Sequence, residues 1–435
     1  MTWSARLTYL DKNEIASAMK EPCLLFLHGN FPGQFLDIAP FLAAKLAARV
    51  VFLTLSDNPQ GIHLPGVECH RFERHRESGK ETHHYLKSVE VSVLNGQAVV
   101  RQLVALRSQG FVPDVVVSHC GFGYASYVKN IFPECKLISY VEWYFTDSNA
   151  SCLDSDISVD ELMRLNAFNI PCQQEALQAD VLVCPTRWQA SQFPAELQSK
   201  IKCIFDGVSA ALFPEGSCRE PLEIVGRDCS SPLIIDPEAL LLTYGTRGME
   251  PLRGFSEFMR AASMAMEAFK DLQVVVFGAD RIAYGMTAEK CSHPSGSWKD
   301  QMLQELMGSL DLDRLHFTGL INYGMLSKLF RRSDLHCYFT RPYVVSWGVF
   351  QAAASGSPLL MNQFPGVEEV LEGPPEFPYV DLDSQHSVNQ GVVSALEKVR
   401  SLGDARDHAS RLSLGLDSSS CLMQWSHLIK ELLRK

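Results

Sequence analysis

The stretch CLLFLHGNFPGQF, residues Cys23–Phe35, decides the fold class of this chain. It begins with an apolar run of strand length, and the run breaks at Gly29 and Gly33 before a helical pattern that continues to Ala48. A strand, a glycine-containing loop and a helix in this order form the first half of a βαβ unit, in which a helix connects two parallel strands. The sequence therefore predicts an α/β fold that starts with this stretch.

Strands and helices alternate through the rest of the first half of the chain. Further apolar runs of strand length are ARVVFLTL at 48–55, DVVVSHCGFG at 114–123, KLISYVEWYF at 136–145 and ADVLVCPT at 179–186. Such continuous runs are typical of parallel strands that helices cover on both faces. The first lobe closes near Gly207, and we predict an N-terminal Rossmann-like domain over residues 1–212, with residues 1–20 as an extension.

The alternation stops in the middle of the chain and then starts again. Residues 213–237 carry several Pro, Gly and Ser residues, which indicates a linker. Strand-like runs return as ALLLTYG at 239–245, LQVVVFGAD at 272–280, RLHFTG at 314–319, DLHCYFT at 334–340 and SPLLMN at 357–362. We therefore predict a second Rossmann-like domain over 238–415, and such domains bind ligands at the carboxyl ends of their strands.

The last segment, residues 416–435, has the pattern of an amphipathic helix. One helical face collects its apolar residues: Leu422, Trp425, Ile429, Leu432 and Leu433. Two interpretations stay open. The helix packs back on the N-terminal domain, or it is an ordinary surface helix.

Length and charge narrow the classes of function. The chain has 435 residues, which favours two domains, and a formal net charge of -11 without a long run of Lys and Arg. Nucleic acid is therefore not expected as a partner, because binding to a phosphate backbone requires clustered positive charge. No run of 18 apolar residues predicts a membrane span, although peripheral association with a membrane stays open.

The cysteines indicate a reducing compartment. Thirteen cysteines are scattered along the chain, and no two have CxxC spacing. This distribution argues against a disulfide framework and against a zinc site. The N-terminal residues are polar and mixed, without the apolar core of a signal peptide. The expected location is the cytoplasm. Whether the protein associates with the inner face of the membrane stays open.

Two segments of the second half could carry chemistry. In TYGTRGMEPLRGF at 243–255, Arg247 and Arg253 flank a turn between a strand and a helix, where two guanidiniums and a helix N-terminus can bind a diphosphate. Taken alone, two such arginines are more often solvated. In RPYVVSWGVFQAAASGSPLL at 341–360, a loop again leads into the N-terminus of a helix.

Together these segments resemble the C-terminal lobe of family 4 glycosyltransferases, which are retaining enzymes of GT-B fold, with two Rossmann-like domains facing across a cleft. The resemblance is closest to a bacterial subgroup. The motifs that carry it are NFPGQF at 30–35, RLNAFN at 164–169, PTRWQASQFP at 185–194, FDGV at 205–208 and the RPxVxSW pattern at 341–347. It runs from about Leu24 to Leu371.

The resemblance implies a donor site on the second lobe and the acceptor side on the first. Arg247 and Arg253 would hold the diphosphate of a nucleotide-sugar donor and neutralise the charge on the departing nucleotide. Backbone amides around Ser346, Trp347 and Gly348 would bind the distal phosphate and face the sugar. The donor is a substrate, and neither a metal ion nor another cofactor is implied.

The resemblance also implies roles for residues of the first lobe. His119 matches a position that contacts the hydroxyls of the donor sugar near the reacting carbon, so we group it with Arg247 and Arg253 as catalytic. Gly33 would let the backbone come close to the donor. Glu142 is a candidate for the acceptor side. By themselves, a histidine at a strand end is more often structural, and Glu142 is as often a paired or solvated carboxylate.

One donor-side residue departs from the family pattern. The family usually has Glu where this chain has Gln351, and that Glu accepts hydrogen bonds from the nucleotide ribose. Bonds to charged groups contribute roughly 1.5–3 kcal/mol, against about 0.5–1.5 kcal/mol for neutral ones. We therefore expect a weaker donor contact at Gln351, and not an abolished one.

The function implied is transfer of a hexose-type sugar, with retention, to a glycan, lipid or protein acceptor in surface polysaccharide or glycoconjugate synthesis. Front-side attack is the implied mechanism, although the residues are equally compatible with a short-lived covalent intermediate. The alternative is a weakened or silent relative that binds nucleotide or glycan, or serves as a partner subunit. A sugar-nucleotide epimerase matches the motifs less well. A dinucleotide-dependent oxidoreductase is not supported, because no GxGxxG opens a helix after a strand.

Overall fold

The computed structural model of this protein describes residues 21–57, 61–154, 156–229, 231–283, 290–403 and 409–434. The extension predicted for residues 1–20 lies outside the described residues. The chain forms two lobes, each built around one parallel sheet. Within the described ranges, no helix is long and apolar enough to cross a membrane.

The first lobe contains a seven-stranded parallel sheet with the order β3-β2-β1-β4-β5-β6-β7. Its strands are β1 (Cys23–His28), β2 (Arg49–Thr54), β3 (Val67–Arg71), β4 (Val115–His119), β5 (Lys136–Tyr140), β6 (Val181–Cys184) and β7 (Ile201–Cys203). Its helices are α1 (Ile38–Leu46), α2 (Lys87–Ser108), α3 (Val128–Ile131), α4 (Asp147–Leu153), α5 (Val159–Gln178), α6 (Arg187–Ala190) and α7 (Ala195–Gln198). The inner strands are the apolar runs of the sequence, and all five residues of β4 are buried.

The second lobe contains a five-stranded parallel sheet with the order β12-β11-β10-β13-β14 and a separate hairpin of β8 and β9. Its strands are β8 (Leu222–Ile224), β9 (Leu233–Ile235), β10 (Leu240–Thr246), β11 (Leu272–Gly278), β12 (Leu315–Gly319), β13 (Leu335–Tyr338) and β14 (Leu359–Met361). Its helices are α8 (Phe255–Ala268), α9 (Trp298–Glu305), α10 (Tyr323–Arg332), α11 (Trp347–Ala354), α12 (Pro365–Glu368) and α13 (Gln385–Leu402), and α14 (Ser418–Leu433) follows.

The structure differs from the predicted linker over 213–237. The β8–β9 hairpin lies inside this segment, and its side chains pack with Leu241, Val275 and Leu329 of the second lobe. Each strand of the hairpin has only three residues, which is too short a run to stand out among the Pro, Gly and Ser residues around it. Part of the segment therefore belongs to the core of the second lobe.

The last helix crosses back to the first lobe. Trp425, Leu428 and Ile429 of α14 are buried in one cluster with Phe26 of β1 and Leu42 of α1. The chain thus leaves the first lobe, builds the second and returns to the first. Of the two interpretations of the last segment, the structure has the helix packed on the N-terminal lobe.

Both sheets have the strand order of a doubly wound fold. In the first sheet the order reverses between β1 and β4, and in the second it reverses between β10 and β13. Loops at the carboxyl ends of these strands run to opposite faces of the sheet, which leaves a crevice where ligands bind. The fold therefore places one such crevice in each lobe.

Candidate active site

A cavity of about 730 Å³ lies between the two lobes, at the carboxyl ends of the strands that flank both order reversals. The first lobe contributes His28 from the end of β1 and His119 from the end of β4. The second lobe contributes Gly245 and Thr246 from the end of β10 and Tyr338 from the end of β13. The crevices of the two sheets thus open into the same space.

The second-lobe wall carries the two predicted arginines. Arg253 is buried, and its Nη1 donates to Thr340 Oγ1 at 2.8 Å while Nη2 donates to the carbonyl of Val344 at 3.1 Å. Arg247 also lines the cavity, but its side chain is exposed, and its carbonyl accepts a bond from Arg281 Nε at 3.3 Å. Arg253 is therefore held in place by the protein, whereas Arg247 extends into solvent at the cavity.

The N-terminus of α11 stands beside these arginines. Ser346 caps the helix by accepting a bond from the backbone N–H of Gly348 at 3.4 Å, a length at which a hydrogen bond is weak. The indole Nε1 of Trp347 donates to Asp206 Oδ2 of the first lobe at 2.7 Å. These three α11 residues line the cavity, whereas Gln351 lies one turn further along the helix and outside its lining.

The first-lobe wall pairs two predicted residues directly. His119 Nε2 donates to Glu142 Oε2 at 3.0 Å, and Gln34 Nε2 donates to Glu142 Oε1 at 2.9 Å. Burial acts to raise the pKa of Glu142, but the hydrogen bonds from His119 and Gln34 outweigh it and lower that pKa below its usual value. Glu142 is thus an ionised partner of His119, with both carboxylate oxygens engaged.

Sequence reasoning missed His28. Its ring lies 4.5 Å from the ring of His119, its Nδ1 accepts from the backbone N–H of Asn30 at 2.9 Å, and its Nε2 bonds Gln34 Oε1 at 2.6 Å. Burial lowers the pKa of His28 to about 3, and the charge of His119 adds to this. The sequence analysis gave His28 no role; the available signal was a polar residue directly after the apolar run, six positions before a glutamine.

The structure gives a second reason for a glycine at position 33, beyond the approach to the donor that the resemblance implies. The φ of Gly33 is +54°, and a Cβ at this position would lie 2.5 Å from Nε2 of His28. A side chain at this position would therefore collide with the imidazole, in a backbone conformation that only glycine adopts readily. Gly33 lines the cavity and also leaves room for His28.

A half-buried carboxyl of the first lobe joins the two lobes. Asp206, from the FDGV motif, accepts from the hydroxyl of Tyr140 at 2.6 Å and from the indole of Trp347 at 2.7 Å. Burial raises the pKa of Asp206 to about 6, although these two hydrogen bonds oppose the rise. The FDGV motif predicted no role for Asp206, because the residues that Asp206 contacts are distant in the chain.

The PTRW part of the PTRWQASQFP motif also contacts the other lobe. The backbone N–H groups of Arg187 and Trp188 donate to the carboxylate of Glu369 at 2.6 and 3.0 Å. The ring of Trp188 meets Phe364 edge-on at 4.7 Å, and that of Trp143 meets Tyr343 at 4.8 Å. Aromatic residues and a carboxylate therefore connect the lobes on this side of the cavity.

A buried carboxylate orders the loop after His119. Glu175 of α5 accepts from the backbone N–H of Gly121 at 2.6 Å and of Ala125 at 2.7 Å. Burial raises the pKa of Glu175 to about 7, although these backbone hydrogen bonds oppose the rise. The glycine-rich loop thus owes its shape to a residue about 50 positions away, which no local pattern indicates.

Most of the predicted site residues meet in one place. His119, Glu142, Gly33, Arg247, Arg253, Ser346, Trp347 and Gly348 all line the cavity. Gln351 is the exception. Across the described ranges, no group of three His, Cys, Asp or Glu residues has the arrangement of a metal site.

The family comparison covers the greater part of the first lobe. Residues 47–213 match the family model described as the glycosyl transferase family 4 group. The match runs from the start of β2 to beyond β7 and confirms the resemblance over these residues. No curated protein sequence matches the chain significantly.

Solved structures resemble the chain over nearly its whole length. Sucrose-phosphate synthase from Thermosynechococcus elongatus has a TM-score of 0.65 at 13% identity, with 95% of this chain and 100% of that chain covered. The catalytic domain of starch synthase IV from Arabidopsis thaliana, bound to ADP and acarbose, has 0.61 at 12% identity, covering 96% and 100%. HepE from Anabaena, in complex with UDP and glucose, has 0.60 at 11% identity, covering 94% and 100%. The predicted GT-B fold is confirmed.

Proposed function

We propose that this protein is a retaining glycosyltransferase that moves a hexose-type sugar from a nucleotide-diphosphate sugar to a glycan, lipid or protein acceptor. One observation carries the proposal. A cavity between two facing Rossmann-like sheets has arginines and a helix N-terminus on one wall and a paired histidine and carboxylate on the other. The family match over 47–213 supports the same activity.

The second-lobe wall suits a nucleoside diphosphate. Arg253 is preorganised, Arg247 can close on the ligand, and the N-terminus of α11 adds a favourable dipole. Positive groups held in a cleft stabilise the charge that develops on the leaving diphosphate. HepE binds UDP and starch synthase IV binds ADP, which supports a diphosphate ligand here.

The first-lobe wall favours front-side attack. A covalent intermediate requires a carboxylate that is available to the reacting carbon. Glu142 is the one carboxylate among the described residues that line the cavity, and both of its oxygens accept hydrogen bonds from side chains, which makes it a weaker nucleophile. We therefore assign no protein nucleophile, and the acceptor hydroxyl enters as the phosphate leaves, with the diphosphate taking the proton. His119 would contact the hydroxyls of the donor sugar.

The acceptor and the location are part of the same proposal. The first lobe would bind the acceptor, and surface polysaccharide or glycoconjugate synthesis in the cytoplasm, at the inner face of the membrane, is the role we propose. Neither a metal ion nor a further cofactor takes part in this scheme. Gln351 lies outside the cavity lining, so we no longer expect it to govern donor affinity in this conformation.

The proposal is tested with a panel of UDP-, GDP- and ADP-sugars, by calorimetry for binding and by nucleotide release for turnover. We expect one donor to be turned over, and Arg253→Ala to reduce kcat/KM at least about 100-fold, as expected for groups that stabilise developing charge. Because Arg253 is buried, Arg247→Ala provides a second variant that leaves the core intact, with a loss of roughly 10-fold expected.

The matched control is Arg400→Ala, an exposed arginine of the same lobe that pairs with Asp271. It should keep the activity of the native protein. Binding of a nucleotide without any turnover would favour the silent relative over the enzyme. If no sugar nucleotide of the panel is bound and none is turned over, the proposed function is overturned.

A further inference from the structure

A continuous hydrogen-bond chain runs along the first-lobe wall from a backbone amide to His119. It passes from the N–H of Asn30 to His28 Nδ1 at 2.9 Å, and from His28 Nε2 to Gln34 Oε1 at 2.6 Å. It continues from Gln34 Nε2 to Glu142 Oε1 at 2.9 Å and from Glu142 Oε2 to His119 Nε2 at 3.0 Å. His28 and His119 end the two strands that flank the order reversal of the first sheet, Glu142 follows the neighbouring strand β5, and Gln34 lies in the glycine loop after β1.

The direction of every bond in this chain follows from its first donor. A backbone N–H can only donate, so Nδ1 of His28 must be unprotonated and the ring proton of the neutral imidazole must lie on Nε2. That N–H uses the oxygen of Gln34, which turns the amide nitrogen towards Glu142. A carboxylate that accepts on both oxygens then takes its second hydrogen bond from Nε2–H of His119.

We propose that His28 is a positioning residue for sugar transfer, which fixes His119 with its proton on Nε2 and leaves Nδ1 as the nitrogen that interacts with the substrate. This rests on the proposed function. Among the described residues, no partner hydrogen-bonds Nδ1 of His119. His28 does not need to touch the substrate for this role, because it acts through Gln34 and Glu142.

Burial and packing suit His28 to this task. Its ring is 4% exposed and lies edge-on against Phe35 at 5.6 Å, and Gly33 leaves the space that it fills. Burial lowers the pKa of His28 to about 3, so the ring stays neutral throughout the physiological range. A charged ring would have to donate from both nitrogens, which the N–H of Asn30 forbids.

Other titratable groups act on the same chain from the elements around it. They are Glu175 of α5, Asp206 of the loop after β7, Tyr140 of β5 and Cys184 of β6. Burial raises the pKa of each of these groups. Glu142 is the carboxyl in direct contact with His119, and its pKa is lowered.

The test uses two isosteric changes with a matched pair of controls. His28→Phe removes the donor to Gln34 but keeps a ring in the same space, and Gln34→Leu removes the donor to Glu142. The second lobe offers a comparable histidine–glutamine pair outside the cavity lining, His316 Nε2 with Gln273 Oε1 at 2.8 Å. His316→Phe and Gln273→Leu are therefore the controls, and thermal unfolding shows whether each variant is folded.

The first readout is the imidazole ¹⁵N spectrum of the whole protein without ligand. We expect His28 as the neutral Nε2–H form from pH 5 to 8, and His119 with its proton on Nε2. In His28→Phe, Glu142 still accepts from His119, so the tautomer should persist, but the Nε2–H of His119 should exchange faster with water because Gln34 no longer holds Glu142 in place, which neither control should produce. A neutral His28 protonated on Nδ1, or an unchanged His119 in His28→Phe, would overturn the proposal even if no donor were ever turned over.

The second readout is the pH profile of kcat/KM with the donor found in the panel. Gln34→Leu removes a hydrogen bond that lowers the pKa of Glu142, so an acid limb that reports ionisation of Glu142 should move to higher pH. His28→Phe should lower kcat roughly 10-fold with little change in the KM of the donor. If the native protein is active and both variants behave like their controls, His28 has no positioning role, while the proposed function stands.

Discussion

At the scale of single residues, the site depends on which polar groups are buried together. Burial opposes ionisation of Glu142 and of Asp206 alike. Glu142 receives hydrogen bonds from two side chains of its own lobe, and its pKa is lowered. Asp206 also accepts two hydrogen bonds, from Tyr140 and Trp347, but there the cost of burial prevails. The same residue chemistry therefore has opposite charge behaviour within one site.

Asp206 makes stability depend on pH. Burial raises its pKa from 3.8 to about 6, so the folded protein binds the proton more tightly than the unfolded chain does. The resulting stabilisation is fully present below the unfolded pKa and is lost as the pH rises through about 4 to 6, by an amount of order 3 kcal/mol. Asp206→Asn cannot ionise. Its free energy of unfolding minus that of the native protein should therefore increase from pH 4 to pH 7, because only the native protein loses stability over this range.

Urea unfolding at several pH values measures this difference. Groups that titrate elsewhere, including Glu175, are common to both proteins and cancel in the comparison. A difference that stays constant between pH 4 and pH 7 would show that folding does not raise the pKa of Asp206.

At the scale of elements, α14 completes the first lobe from the far end of the chain. It begins at the cap residue Asp417, whose carboxylate accepts from the backbone N–H groups of Ser419 and Ser420. Its apolar face covers β1 and α1, and Lys202 pairs with Glu431 at 2.7 Å along the edge. A parallel sheet must be covered on both faces, and this helix provides part of the cover that residues 21–213 lack.

Trp425 is the main anchor of α14. It is 1% exposed, and its indole nitrogen has no hydrogen-bond partner among the described residues. Trp425→Ala should therefore cost about 3–5 kcal/mol of stability, whereas Trp425→Phe should cost much less because only packing is altered. Chemical denaturation measures both, with Met423→Ala, an exposed residue of the same helix, as the control. Equal losses for Trp425→Ala and Met423→Ala would mean that the helix is not docked.

At the scale of the whole molecule, contacts between the lobes set the width of the cleft. Lys290 of the second lobe pairs with Asp154 of the first at 2.6 Å, and Trp347 of the second lobe donates a hydrogen bond to Asp206 of the first. On another side, Glu369 accepts the first two N–H groups of α6. These contacts hold the two walls of the site at the separation that encloses the cavity.

Glu369 is the contact most easily tested. It caps a helix of the opposite lobe, so Glu369→Ala should lower stability by about 0.5–2 kcal/mol and loosen the lobes. We expect small-angle X-ray scattering to show a larger radius of gyration for this variant. Glu372→Ala is the control, because Glu372 accepts from Leu414 without contacting the first lobe. Matching stability and scattering for the two variants would show that Glu369 does not hold the lobes together.

The sequence was sufficient for the local parts of this protein. Apolar runs such as 115–117 predicted the buried parallel strands, because a strand covered on both faces is mostly apolar. The alternation of strands and helices starts again after residue 237, which predicted two lobes. The sequence motifs predicted the GT-B fold. Eight of the nine site residues predicted from the sequence line one cavity in the structure.

Tertiary structure alone decided how these residues act on one another. His28 and Glu142, or Tyr140 and Asp206, are joined only when strand ends and loops converge, and no spacing along the chain encodes that meeting. Burial then decides charge, since ionisation depends on how much water the surrounding lobes exclude. Periodicity is a property of single elements, whereas solvation and hydrogen-bond partners are properties of the assembled lobes.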